Sequence, residues 1–140
     1  MQYKRIMCLD FGDVRIGIAM SDLLQTIASP YDTYTRKSLE EDLNYFKNLA
    51  ISQSVEKVVI GLPYNMDGSA GERIEITKQF GSLLSKKLEL PVEYVDERLS
   101  SVEAEDILAE AKVPAIKRKG LIDKIAAGII LESYLNSRKF

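Results

Sequence analysis

Three acidic residues stand where apolar segments end or begin. Asp10 follows the run Ile6-Met7-Cys8-Leu9, Glu97 follows Val92-Glu93-Tyr94-Val95-Asp96, and Asp123 opens the apolar-striped stretch Leu121 to Leu135. They are far apart in sequence but share one chemistry if the fold brings them to one edge. Clustered carboxylates repel each other, and a hard divalent cation with oxygen ligands, Mg²⁺ or Mn²⁺, relieves that repulsion. Two such ions roughly 4 Å apart activate water and stabilise the leaving oxygen in phosphodiester cleavage. The chain has no histidine. A Ser-His-Asp triad, a Cys-His pair and His-ligated zinc are therefore excluded within one chain, and base chemistry falls to carboxylates, Lys, Tyr or metal-bound water.

Each acid also has a structural reading. Asp10 lies near Gly12, and Asp often bonds its own backbone in such turns, although Asp13 fits that part better. Glu97 adjoins Arg98 and could form a surface ion pair of little worth. Asp123, in the first turn of a helix, would complement the helix dipole. Asp96 competes with Glu97, because successive strand residues face opposite ways.

The elements that must position these acids follow from local pattern. Ile6 to Leu9 reads as a buried strand, and Gly12-Asp13 turns it into a second, Ile16 to Met20. Ile27 to Tyr34 holds a third strand, on an edge because of Pro30. Ser38 to Glu41 fits a capping box, with Leu39, Leu43, Phe46 and Leu49 carrying a helix to about Ser52. Lys57 to Gly61 is a short buried strand. The Pro/Asn/Asp/Gly-rich loop Leu62 to Gly71 follows it, where α/β proteins place sites. Asn65, Asp67 and Gly68 there suit a substrate-facing loop or a plain turn.

A capping box from Ser69 to Glu72 would start the next helix, with Ile76, Phe80, Leu83, Leu84 and Leu88 on its apolar face. Pro91 to Glu97 is a further strand, and Ser100 to Glu103 a third capping box before a helix to about Ala111. Val113 to Gly120 reads as a break before the final helix, Leu121 to Leu135. The order predicts a mixed sheet: an antiparallel meander of three strands, then two strands parallel to the first, with helices on the faces.

At 140 residues, 46% hydrophobic and 29% charged, the chain suits one soluble domain spanning residues 1–140. The single cysteine, Cys8, fits a reducing compartment. Neither a leader-like start nor an apolar run near the ~20 residues of a membrane span is present, so a cytoplasmic protein with no membrane contact is expected. Net charge is −2, against indiscriminate coating of nucleic acid. From Lys112 to Lys124, however, five basic residues face one acid, a local +4. Lys117, Arg118, Lys119 and Lys124 in this run are candidates for phosphate contact, with a solvated loop as the alternative. Arg15, Arg73 and Arg98 flank the other motifs.

Four motifs, LDFGDVRIGIAMSD (Leu9 to Asp22), VVIGLPYNMDGSAG (Val58 to Gly71), VDERLSS (Val95 to Ser101) and KRKGLIDKIAAGIILESYL (Lys117 to Leu135), extend over nearly the whole chain. In order and spacing the chain resembles the YqgF family of pre-16S rRNA nucleases, also described as Holliday-junction-resolvase-like. The resemblance implies a ribonuclease-H-like α/β fold, a five-stranded mixed sheet with helices on both faces. It implies Asp10, Glu97 and Asp123 as the catalytic, metal-holding triad. It also implies a metal-dependent endonuclease on structured RNA, processing the 5′ end of precursor 16S rRNA. Asp13-Val14 stands where the family often has Thr-Lys, adding a negative charge beside the metal site. Ser100-Ser101 replaces the usual Thr-Thr.

Three rivals remain. Holliday-junction resolution on branched DNA needs paired sites, hence a homodimer rather than a monomer. A small-molecule phosphotransferase would use Asp10-Phe11-Gly12-Asp13 as a phosphate loop, but needs a second domain for which 140 residues leave no room. A non-catalytic RNA-binding ribosome-assembly factor would keep a degenerate site; retention of all three acids argues against it, and Asp13 keeps it open.

Overall fold

The computed structural model describes residues 4–63, 71–96 and 100–138, apart from the side chains of 100–102 and 119. Five strands and four helices follow in the order β1 (Arg5–Phe11), β2 (Arg15–Ser21), β3 (Ala28–Thr35), α1 (Leu39–Ser52), β4 (Val55–Leu62), α2 (Glu72–Leu88), β5 (Val92–Asp96), α3 (Ser100–Glu110) and α4 (Ala115–Ser137). The sheet runs β3-β2-β1-β4-β5. β1, β2 and β3 form the expected antiparallel meander, and β4 and β5 lie parallel to β1. The carboxyl ends of β1, β4 and β5 therefore share one edge. β3 is an edge strand, and its register with β2 shifts beside Pro30.

The sheet is covered on both faces, which explains why β1 is apolar without alternation. Met7, Leu9 and Phe11 join Ile16, Ile18 and Met20 beneath Phe46 of α1 and Phe80 and Leu84 of α2. Ile6 and Cys8 point the other way, with Ala19 and Val59, into Ala127, Ile130 and Leu131 of α4. The C-terminal half of α4 is also tied to the sheet through polar atoms. Lys57 donates to the Tyr134 hydroxyl at 3.0 Å, and that hydroxyl donates to Glu93. The Tyr134 bond raises the Lys57 pKa and lowers that of Glu93.

Ser38 caps α1 as expected, accepting from the Glu41 N–H at 3.1 Å, and α1 ends at Ser52. α2 instead takes Gly71 as its N-cap, with no side-chain cap bond; Ser69 lies outside the described residues. The largest departure is α4. It begins at Ala115, so the basic run is helical and not a loop. Pro114 occupies the cap position, and the Lys117 N–H bonds its carbonyl at 2.9 Å. Proline before a first turn starts a helix as readily as it stops one. Gly120, read as a breaker, is carried inside the helix, its carbonyl accepting from Thr33 Oγ1 at 2.8 Å. Asp123 thus sits in the body of α4, where the dipole reading has no force. No helix among the described residues is long and apolar enough to cross a membrane.

Asp42 is fully buried at the start of α1. It accepts from the Tyr34 hydroxyl at 2.8 Å, the Lys37 N–H at 2.9 Å and Arg36 Nε at 2.9 Å. Arg36 also stands 4.8 Å from the Phe11 ring centroid and donates to the Gly12 carbonyl. This network ties α1, β3 and the β1–β2 turn together. Burial pushes the Asp42 carboxyl up, but the Lys37 N–H, Tyr34 hydroxyl and Arg36 guanidinium outweigh it and hold it below its ordinary 3.8. Its contribution is therefore present above about pH 3.8 and is lost as pH falls through the lower folded value. Asp42→Ala should cost about 3–5 kcal/mol at pH 7 by stranding Arg36 and Tyr34. In urea melts from pH 7 to pH 2.5, its deficit against the parent should shrink in acid; a constant deficit would contradict this.

Candidate active site

Asp10 lies two residues beyond Cys8 on β1 and takes the same sheet face, the one covered by α4. It pairs across β2 with Gly17. On the other side, one step beyond the Leu9–Ile60 pair, stands Gly61 of β4, itself paired with Val95 of β5. Glycine therefore flanks Asp10 on both neighbouring strands.

Gly17 has a second consequence. A Cβ built on it would lie 1.9 Å from the Asp123 carbonyl oxygen and 2.3 Å from the carbonyl carbon. The backbone of α4 rests directly on the backbone of β2 at this point. Because paired Cα atoms in an antiparallel ladder are about 4.5–5.5 Å apart, the contact makes Asp10 and Asp123 neighbours despite their separation in sequence. Asp123 Oδ2 accepts from Arg15 Nε at 2.6 Å, with the Arg15 side chain 30% and the Asp123 side chain 21% exposed. Arg15 takes the same face as Gly17, two residues along β2. A single Nε bond to one oxygen leaves the other able to serve a cation.

The extra charge of Asp13 is met locally. Its carboxylate pairs with Arg73 at the start of α2 at 2.5 Å, in a solvent-exposed position. Asp96 is exposed and, by alternation from Val95, takes the face opposite Asp10. Glu97 and Arg98 lie outside the described residues, as do Asn65, Asp67 and Gly68. Among the described residues no group of three or more His, Cys, Asp or Glu side chains is assembled. Asp10 and Asp123 supply two hard oxygen donors, the correct chemistry for Mg²⁺ or Mn²⁺.

Residues 4–137 match the RuvX family model, described as Holliday junction resolvase. The chain belongs to this family. A relative from Halothermothrix orenii is 53% identical over 132 residues, covering 94% of each chain. One from Syntrophomonas wolfei subsp. wolfei is 47% identical over 132 residues, again 94% of each. Both are named "Putative pre-16S rRNA nuclease". RuvX proteins are nucleases by the names they carry, and this chain is one of them. Among solved structures, Thermus thermophilus RuvC in complex with Holliday junction substrate superposes with TM-score 0.61 at 11% identity, over 97% of this chain and 96% of that one. Free RuvC gives 0.54. That likeness bears out the ribonuclease-H-like fold that the resemblance implied.

The basic residues of this RuvX chain separate into two groups. Arg118 is engaged within the protein: Nε donates to the Val113 carbonyl at 2.8 Å and the guanidinium pairs with Glu105 at 3.0 Å, joining α3 to α4. Arg15 and Arg73 are likewise held by Asp123 and Asp13. Lys117 is exposed and Lys124 half-buried, both on the first half of α4; the Lys119 side chain is not described. Sequence reasoning named the acids but missed what seats them. The parity of Cys8-Leu9-Asp10 against Arg15-Ile16-Gly17 held that signal, since it puts Arg15 and Gly17 on the Asp10 face. Gly17→Ala should therefore cost on the order of 3 kcal/mol, because the obstacle is backbone and cannot turn aside. Urea denaturation would measure it; a loss below 0.5 kcal/mol, roughly the surface range, would contradict the contact.

Proposed function

We propose that this chain is a metal-dependent endonuclease on structured RNA, acting on precursor 16S rRNA in the cytoplasm as one domain spanning residues 1–140. Asp10, Glu97 and Asp123 are its metal-holding catalytic acids. The observation that carries the reading is the seating of Asp123 on Gly17, the cross-strand partner of Asp10. Glu97 enters through the family resemblance. Mg²⁺ or Mn²⁺ at these acids would supply a water-derived nucleophile and offset charge on the leaving oxygen. The chain's own residues do the rest. Arg15 fixes the Asp123 carboxylate through Oδ2. Lys117, Lys119 and Lys124 attract the phosphate backbone. Arg73 offsets Asp13. The relatives' names support the RNA substrate.

A second reading, resolution of branched DNA, draws on the family description. One copy carries all three acids, so RNA cleavage needs only a monomer, whereas junction resolution needs a homodimer. Purified protein incubated with precursor rRNA and with junction DNA, each in Mg²⁺, Mn²⁺ and EDTA, separates the two. Cleavage of neither substrate in either metal would overturn both and leave an RNA-binding assembly factor.

Asp10→Asn is nearly isosteric and should abolish cleavage. It removes a charge that the metal requires and relieves repulsion with Asp123. In EDTA it should melt no lower than the parent. The parent should gain about 2.7 kcal/mol with Mg²⁺ a hundredfold above its Kd, and the mutant less. A mutant that melts lower in EDTA yet keeps the full Mg²⁺ response would make Asp10 a structural residue. Replacing Lys117, Lys119 and Lys124 with Ala should flatten the log–log salt slope of binding by roughly 0.7–0.9 for each phosphate no longer neutralised. An unchanged slope would remove these lysines from the interface.

A further inference from the structure

The sheet-facing stripe of α4 can be followed toward the helix's N-terminus. Ala127 packs into the core. One turn earlier Asp123 rests on Gly17, and one turn earlier again the Gly120 carbonyl bonds Thr33 of β3. The next position of the stripe is Ile116, and it has no sheet beneath it. Ile116 is 90% exposed, the most exposed large hydrophobic side chain among the described residues. Seven residues are two turns, so Ile116 projects within about 20° of the Asp123 direction, about 10 Å along the axis.

The surroundings argue for what covers it. Within Lys112 to Lys124, Arg118 is paired with Glu105 of α3 and Asp123 with Arg15. The positive charge offered to a partner is therefore that of Lys112, Lys117, Lys119 and Lys124, with Glu103, Asp106 and Glu110 on the adjoining α3. The first turn of α4 has no acidic residue to offset the positive helix end. Nucleic acid meets such a setting with phosphates and, wherever strands part, offers the apolar face of an unstacked base. Proteins that open or kink nucleic acid insert Ile, Leu, Met or Phe at such steps, with basic side chains on the backbone alongside.

We propose that Ile116 is a wedge that packs against the unstacked base where paired strands part. It fixes the distance from that step to the acids, about three stacked bases at 3.4 Å each. The proposal rests on the nuclease reading and narrows its substrate class to nucleic acid with a paired-to-single-strand step near the scissile phosphate.

The test uses the full chain and three RNAs: a hairpin with a single-stranded tail and 2-aminopurine at the step, a blunt duplex, and an unstructured strand. Binding is read in EDTA and in Ca²⁺, apart from cleavage. The parent should favour the tailed hairpin and raise its fluorescence. Ile116→Ala should bind that hairpin roughly tenfold more weakly, without the fluorescence rise. Its melting temperature, salt slope and affinity for the blunt duplex should stay at parental values. With Mn²⁺, its cuts should spread over neighbouring positions. Equal loss on all three RNAs, or no loss on any, would overturn the wedge and leave the nuclease reading standing; no loss on any would make Ile116 a protein-docking residue instead. A parent that binds none of the three in either buffer would overturn the nuclease reading and the wedge together.

Discussion

The position of α4 depends on a contact that contains no side chain. Where β2 offers Gly17, the carbonyl of Asp123 descends onto the strand to a place a Cβ would fill. Any other residue would hold the helix away by at least the radius of a methyl group. Helix–sheet packing is ordinarily set by side-chain volume and tolerates adjustment. Here backbone meets backbone, and the spacing is fixed by hard contact. The helix is then held at its far end by Tyr134 between Lys57 and Glu93, and along its middle by Ala127 and Ile130. Seated at both ends, α4 carries Asp123 to one place only. Catalytic groups need that kind of rigid support, because small displacements of a reacting constellation cost large factors in rate.

The opposite face of the sheet solves a different problem. The turn between β1 and β2 begins one residue beyond Asp10, after Phe11, and a loose turn would let the strand end wander. Arg36 holds it. Its guanidinium lies against the Phe11 ring, donates to Gly12 and is anchored by the buried Asp42. A buried carboxylate is costly unless every oxygen is bonded. Asp42 satisfies that condition with the Tyr34 hydroxyl, the Lys37 N–H and Arg36. The ionic network and the glycine contact thus constrain the Asp10 region from the two faces of the sheet.

What the sequence revealed follows from where information is local. The apolar run of β1, the Ser38 cap and the edge character of β3 depend on neighbouring residues, and each was legible. The mixed topology followed from a helix between two apolar runs. Two features misled. Gly120 and the basic run resembled a loop, because helix propensity cannot register tertiary support: Thr33 and Glu105, far away in sequence, bond the Gly120 carbonyl and Arg118. The Asp42 network was invisible because Tyr34, Arg36 and Asp42 look like ordinary strand-end and helix-start residues. Asp10 and Asp123 could be named from the resemblance, but their meeting depends on a glycine whose role appears only when strand parity is traced through the turn.

Charge at the carboxyl edge of the sheet must satisfy two opposed demands. The acids that would hold a cation also repel phosphate, and a net charge of −2 adds to that repulsion at long range. The chain meets this by local pairing, since distant charges are screened within about 10 Å at ordinary ionic strength. Arg15 takes Asp123 and Arg73 takes Asp13, so two of the carboxylates nearest the edge are already partnered. On the proposed reading, the lysines of α4 act on the incoming backbone. A cation arriving at Asp10 and Asp123 does not have to displace Arg15, which uses one oxygen only. Held there, it would add positive charge where, on the proposed reading, a phosphodiester lies. On that reading, the pairing of arginines with the acids and the use of lysines for the substrate follow from their chemistry. The planar guanidinium holds a fixed geometry, whereas the flexible ammonium tracks a backbone of variable shape. The global charge therefore carries little information about the substrate, and the distribution along one helix carries most of it.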